Sequence, residues 1–140
     1  MPAIYTTTVT VTGFREGHAR ASDGKLDLAL SIPKEMGGAG GEGTNPEQLF
    51  AAGYAACFQT GLRSTARKKK LTITESSITA NVGLTQREAG GPVVLTVDMD
   101  VSLPGLSREE AEDLIETVHT SVCPYSNAIR GNVDVNFRVV

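Results

Sequence analysis

The sequence predicts an α+β protein, and three observations carry that prediction. Apolar and polar residues alternate in five stretches, 6–12, 25–32, 71–86, 93–103 and 133–140, which is the period of a half-buried strand. Two further runs, beginning near residues 45 and 107, open on helix-start signals and carry helical apolar spacing. The order strands, helix, strands, helix, strand groups the element types instead of alternating them strictly, as α+β proteins do.

Each element follows from its local chemistry. Residues 6–12 alternate Thr and Val, setting the valines on one face until Gly13 ends the run, and Phe14-Arg15-Glu16-Gly17 reads as a connection. Ser22-Asp23-Gly24 predicts a hairpin turn into residues 25–32, where Leu26, Leu28, Leu30 and Ile32 are expected inward and Pro33 stops the strand. The glycine-rich segment 37–43 predicts a flexible loop. Thr44-Asn45-Pro46-Glu47 combines a capping side chain, a first-turn proline and a carboxylate at the positive end of a helix dipole. That helix is expected to reach about residue 67, with Arg67-Lys68-Lys69-Lys70 as its solvated end. Gly90-Gly91-Pro92 is the turn between the next two strands. Ser107 and Glu110 form a capping box at the start of a second helix, whose apolar face is Ala111, Leu114, Ile115 and Val118 and whose end lies near Cys123-Pro124. Residues 126–130 predict a helical turn closed by Gly131-Asn132, before the last strand.

Composition excludes several function classes. A chain of 140 residues, 40% of them apolar, is expected to form one domain over 1–140 that needs neither disulfides nor metal to fold. A net charge of −3 gives no electrostatic reason to bind nucleic acid, and 5% aromatics with no Trp give little surface for stacking on bases. The longest apolar run, 49–58, falls far short of the roughly 20 residues a membrane span needs. No basic segment followed by an apolar one opens the sequence, so no targeting segment is expected and the expected location is the cytoplasm. There, paired cysteines are more often catalytic, metal-binding or simply buried than structural disulfides.

The first helix is apolar on every side from 49 to 58, so it is expected to be covered on every side. Gly53, Cys57 and Gly61 recur every four residues and would let another backbone approach closely; together these features point to an intimate homodimer. Cys57 lies within this helix, whereas Cys123 lies where the chain must bend at Pro124. A fixed attacking sulfur and a movable second sulfur are what a two-thiol redox reaction needs. The competing reading of each is a small buried hydrophobe with a raised pKa. A reactive Cys57 would need a nearby cation, and Arg15, Arg20, Arg63 and Arg130 are the candidates.

Other chemistries fit less well. His119 and Cys123 are spaced i, i+4, but a Cys2His2 metal site would need His18 and Cys57 as well, every His and Cys in the chain. Gly38, Gly40, Gly41 and Gly43 match a dinucleotide-binding fingerprint literally, yet no carboxylate occurs between Glu47 and Glu75 to hold a ribose. No nucleophile elbow of the Gly-x-Ser-x-Gly kind is present. His18 and His119 are assigned no role.

The two cysteine segments are more specific than any of these motifs. Residues 44–58, with Asn45, Pro46, Glu47 and Cys57, and residues 122–132, with Cys123-Pro124-Tyr125-Ser126-Asn127, closely resemble the organic hydroperoxide resistance proteins of the osmotically inducible protein C superfamily. Residues 17–28 and the glycine loop resemble that family too, so the likeness covers essentially the whole chain. The resemblance implies antiparallel sheets around a buried central helix in an intertwined homodimer. It implies a thiol-dependent peroxidase acting on organic hydroperoxides, with Cys57 as peroxidatic cysteine, Cys123 as resolving cysteine, Arg15 as catalytic arginine and Glu47 as its orienting carboxylate. It further implies an intramolecular disulfide recycled by the dihydrolipoyl groups of a lipoylated protein, with no bound cofactor or metal. Phe14 departs from the glycine common at that position, which bears on the mobility of the loop carrying Arg15. Phe50 and Tyr54, two turns and one turn before Cys57, would shape a pocket for alkyl or fatty-acyl substrates, although core packing explains them equally well. Glu47 and Cys57 are ten residues apart, about 15 Å along a straight helix. Arg15 and Glu47 are therefore expected to reach Cys57 from a partner chain, unless the helix kinks near Gly53. A redox or metal sensor, and a ligand-binding or hydrolytic module of the same superfamily, are the alternatives.

Overall fold

A computed structural model describes all residues, 1–140, and divides into two compact units, Met1–Leu49 and Phe50–Val140. In the first unit, β1 (Val9–Thr12), β2 (His18–Ala21) and β3 (Asp27–Ala29) form an antiparallel sheet in that order. The hairpin turn is where the sequence predicts it: Gly24, at φ 73°, donates its N–H to the Ala21 carbonyl at 2.9 Å. Past Ala29 the expected strand gives way to a single parallel bridge between Leu30 and Thr44. Leu28, expected inward, is 39% exposed, as are Val9 at 44% and Val11 at 55%. One chain thus leaves much of this sheet's apolar surface uncovered.

The glycine segment is not the flexible loop the composition suggests. Gly40 N–H donates to the Ile32 carbonyl at 3.0 Å, Gly43 N–H to Ser31 Oγ at 2.9 Å, and Thr44 N–H to the Ala29 carbonyl at 2.9 Å. A side chain at Gly38 would stand 2.3 Å from the Ile32 carbonyl oxygen. Glycine is needed here for close backbone approach in a hydrogen-bonded turn.

Helix α1 (Pro46–Lys68) starts as predicted: Asn45 Oδ1 accepts from Gln48 N–H at 2.9 Å, Pro46 opens the first turn and Glu47 follows it. It is buried on one side only. Tyr54, Phe58, Leu62, Thr65 and Ala66 are buried, while Ala52, Ala56, Thr60 and Arg63 stand exposed. Full coverage, expected from its all-round apolarity, is not achieved within one chain.

In the second unit β4 (Ser77–Gln86), β5 (Val93–Ser102) and β6 (Val135–Val139) form a sheet with β5 in the centre. β5 alternates cleanly: Val97, Met99 and Val101 are buried, whereas Asp98 and Asp100 face out to Asn136 and Arg138. β4 runs antiparallel to β5, but β6 runs parallel to it. The sheet is therefore mixed, not purely antiparallel as the resemblance implied. The cause is the connection: α2 (Arg108–Ser121) and α3 (Pro124–Ile129) form a helical crossover that allows β6 to enter alongside β5 in the same direction. The capping box of α2 is complete, with Ser107 Oγ accepting from Glu110 N–H at 3.1 Å and Glu110 Oε2 accepting from Ser107 N–H at 2.9 Å. Tyr54, Phe58 and Leu62 of α1 share one apolar core with Val97, Met99 and Val101 of β5 and Leu114 and Val118 of α2. This core fixes the position of Cys57, one residue before Phe58.

Candidate active site

The sequence brings two pairs of its predicted site residues together, one in each unit. In the first unit Arg15 belongs to a 3-10 turn, Phe14–Glu16, and Glu47 to the first turn of α1. Arg15 donates Nη1–H to Glu47 Oε2 at 3.0 Å and Nη2–H to Oε1 at 2.9 Å, a bidentate fork. Hydrogen bonding from the guanidinium holds the Glu47 carboxyl below the usual carboxylate range, against the opposing effect of burial. Phe14, just before Arg15, sits at φ 58° and is 92% exposed. Its backbone has the left-handed geometry that a glycine adopts without strain.

In the second unit, Cys57 of α1 and Cys123, the residue capping α3, are both free thiols with their sulfurs 4.0 Å apart. Cys123 is buried and Cys57 partly so. Burial pushes the Cys57 thiol up, Cys123 adds to the rise, and the Tyr125 backbone N–H pulls the other way.

Gly53 and Gly61 explain how the second sulfur comes so close. A Cβ on Gly53 would stand 2.6 Å from Tyr125 Oη, and one on Gly61 would stand 2.8 Å from Val118 Cγ1. The row of small residues expected to meet a partner chain instead receives α3 and α2 of its own chain. The partner-facing candidates are the exposed Ala52, Ala56 and Thr60, about 100° around α1 from that row.

The remaining residues separate by environment. Phe50 keeps partial exposure and meets Tyr54 edge-on at 5.8 Å, while Tyr54 has no exposed surface and stacks on Tyr125 at 5.7 Å. Of the other candidate cations, Arg20 binds Asp27 at 3.1 Å and Arg130 donates to Asn127 Oδ1 at 2.9 Å and to the His119 carbonyl at 2.7 Å. Arg63 stands exposed beside the groove lined by Ala56, Gln59 and Ile73. His18 meets Asp27, and no group of three or more His, Cys, Asp or Glu side chains has the geometry to hold a metal. No helix is long and apolar enough to cross a membrane.

Sequence reasoning missed one set of residues. Tyr54 Oη lies 2.6 Å from Ser126 Oγ, which lies 2.8 Å from His119 Nδ1. Ser126 is completely buried, three residues after Cys123. Its place beside Cys123-Pro124 was the only available signal, because its partner Tyr54 is 72 positions away.

Known proteins resemble this chain along nearly its whole length. The family described as OsmC-like protein matches residues 38–138. An organic hydroperoxide resistance protein of Xanthomonas axonopodis pv. citri is 50% identical over 133 residues, covering 94% of this chain and 92% of the relative. The crystal structure of an organic hydroperoxide resistance protein OsmC from Legionella pneumophila superposes with a TM-score of 0.91 at 48% identity, covering 99% of this chain and 98% of that one. The organic hydroperoxide resistance protein OhrB of Bacillus subtilis gives 0.89 at 43% identity, covering 99% and 100%. The chain belongs to the OsmC-like family, within its organic hydroperoxide resistance proteins.

Proposed function

We propose that residues 1–140 act as one thiol-dependent peroxidase domain that reduces alkyl or fatty-acyl hydroperoxides to alcohols and so protects a bacterial cytoplasm from oxidative stress. The reading rests on one observation above the others: two free thiols 66 positions apart in sequence have their sulfurs 4.0 Å apart. The names of the relatives support the substrate class.

The Cys57 thiolate attacks one peroxide oxygen. A sulfur–oxygen bond forms, the oxygen–oxygen bond breaks, and the departing alkoxide takes a proton to leave as alcohol. Cys57 is then a sulfenic acid. The Cys123 sulfur displaces its hydroxyl, which leaves as water with the Cys123 thiol proton, and closes to a disulfide of about 2.05 Å. A dithiol of the lipoyl class restores both thiols by exchange and leaves oxidised.

A thiolate at Cys57 needs a cation beside it. Arg15 supplies it on this reading, together with stabilisation of the negative charge developing on the peroxide, and Glu47 holds the guanidinium in a fixed orientation. Helix α1 runs from Pro46 to Lys68 without a break in its assignment, and ten residues of helix separate Glu47 from Cys57 by about 15 Å. The Arg15–Glu47 fork of one chain instead serves Cys57 of a second copy in an intertwined homodimer. The exposed row Ala52, Ala56 and Thr60 on α1 and the exposed Val9 and Val11 on β1 support that assembly. Phe50, partly exposed two turns before Cys57 on α1, serves the alkyl chain of the substrate.

The test is consumption of an alkyl hydroperoxide with dihydrolipoamide as reductant. Wild type turns over many equivalents, Cys57→Ser none, and Cys123→Ser consumes peroxide without efficient recycling. Activity retained by Cys57→Ser, or consumption that halts after one equivalent in wild type, overturns the reading; the latter is the behaviour of a sensor.

A further inference from the structure

Tyr54, Ser126 and His119 form a buried chain of polar groups whose hydrogen bonds can run in only one direction. The Tyr54 hydroxyl is fully buried and its one partner is Ser126. Its proton must therefore go to Ser126 Oγ, or it is left unpaired inside the core. Ser126 then donates its own proton to His119 Nδ1, which must be an unprotonated acceptor. His119 is consequently neutral, with its proton on Nε2. If His119 gains a second proton, Nδ1 becomes a donor, and either the Tyr54 or the Ser126 hydroxyl hydrogen loses its acceptor. Leaving a buried hydroxyl unpaired costs more than a typical hydrogen bond is worth.

This chain holds the element that carries Cys123. Ser126 is the third residue of α3 and Cys123 its cap, with Asn127 N–H donating to the Cys123 carbonyl at 2.9 Å. His119 lies in the last turn of α2, and Cys123 N–H donates to the Val118 carbonyl at 2.9 Å. The polar chain therefore ties α1, α2 and the first turn of α3 together around the two sulfurs. Resting on the peroxidase reading above, we propose that neutral His119, acting through Ser126 and Tyr54, is a positioning residue that sets the approach of the Cys123 sulfur to Cys57, and that its protonation releases this segment.

The surroundings of His119 favour the neutral form. Burial pushes its pKa down, Arg130 beyond α3 adds to this, and Glu116 on its own helix opposes it. β6 presents the uncharged ring of Phe137 at 5.0 Å, and α1 presents Tyr54 through Ser126. The release is thus expected below the ordinary imidazole range.

The experiment follows the rate of Cys57–Cys123 disulfide formation after one equivalent of alkyl hydroperoxide, as a function of pH, in the full-length protein. Wild type is expected to lose rate on the acid side with a midpoint set by His119. His119→Asn keeps an acceptor oxygen where Nδ1 stands but cannot titrate. It is expected to retain the neutral-pH rate within about twofold and to lose that acid limb, whereas His119→Leu and Ser126→Ala slow the step about tenfold at every pH. An unchanged acid limb in His119→Asn, or wild-type rates in His119→Leu and Ser126→Ala, overturns the proposal. Cys123→Ser provides the control: if it forms no sulfenic acid with the same peroxide, the peroxidase reading fails instead. Should His119→Asn not fold, Ser126→Ala decides, because with its hydroxyl gone only the acid limb that thiol protonation gives every variant should remain.

Discussion

At the scale of single residues, the Arg15–Glu47 fork is the contact whose chemistry is most directly testable. Both terminal guanidinium nitrogens are engaged, so the carboxylate fixes the plane of the cation as well as its place. Because Arg15 lowers the Glu47 pKa, the pair's contribution to stability is fully present above the ordinary carboxylate value and is lost as pH falls through the lower folded value. Glu47→Gln is expected to cost less than about 1 kcal/mol at neutral pH, since the Arg15 side chain is 40% exposed and screened. The stability gap between the two proteins, measured by urea unfolding, should close on acidification. Activity should suffer far more, with kcat/KM for an alkyl hydroperoxide falling at least about tenfold as the guanidinium loses its orientation. A variant with wild-type kcat/KM would remove Glu47 from the mechanism. Burial and a second sulfur raise the Cys57 pKa, so a thiolate near neutral pH needs a cation beside it, the role proposed above for Arg15 of a second copy.

At the scale of elements, close packing of helices around the thiols depends on two glycines. Gly61→Ala would push a methyl to within 2.8 Å of Val118 Cγ1, so α1 and α2 must separate or Val118 must change rotamer. The expected loss is about 1–3 kcal/mol, read as a lower urea midpoint at an unchanged slope. An unchanged midpoint would mean that Val118 yields without cost. The contrast between this row and the helix starts explains what the sequence could reveal. Asn45-Pro46-Glu47 and the Ser107–Glu110 box were legible because a cap acts within four residues. The alternation of β5 was legible for the same reason, since side chains change face at every residue. The row Gly53, Cys57, Gly61 disclosed a face open to close approach but not its occupant, which proved to be Tyr125 and Val118. The direction of β6 was hidden because it depends on the crossover through α2 and α3, not on the strand's own pattern. The two cysteine segments and the Arg15–Glu47 pairing were legible through family resemblance alone. Ser126 looked like an ordinary turn residue because its partner Tyr54 lies in a different element.

At the scale of the whole molecule, the proposed homodimer draws its support from the raised Cys57 pKa and the exposed face of α1. A helix that is apolar all round yet exposes Ala52, Ala56 and Thr60 leaves buried-type surface in water, and a first sheet exposing Val9 and Val11 does the same. Two copies related by a two-fold axis would cover both faces and create two equivalent sites. If each site takes Cys57 from one chain and Arg15 with Glu47 from the other, defects in different chains can complement. Arg15→Ala and Cys57→Ser are each expected to be inactive alone. Unfolding them together and refolding at equal concentration gives mixed dimers in half of the molecules. In each, one site combines the intact Cys57 of the first variant with the intact Arg15 of the second, so about a quarter of wild-type activity should return. Sites built within a single chain would yield no recovery, because every chain in the mixture lacks one essential group. Ala56→Arg, which places a charge on the exposed row, should give a monomer by sedimentation and should also lose peroxidase activity although its own thiols are untouched. A fully active monomer would show that Cys57 obtains its cation without a partner.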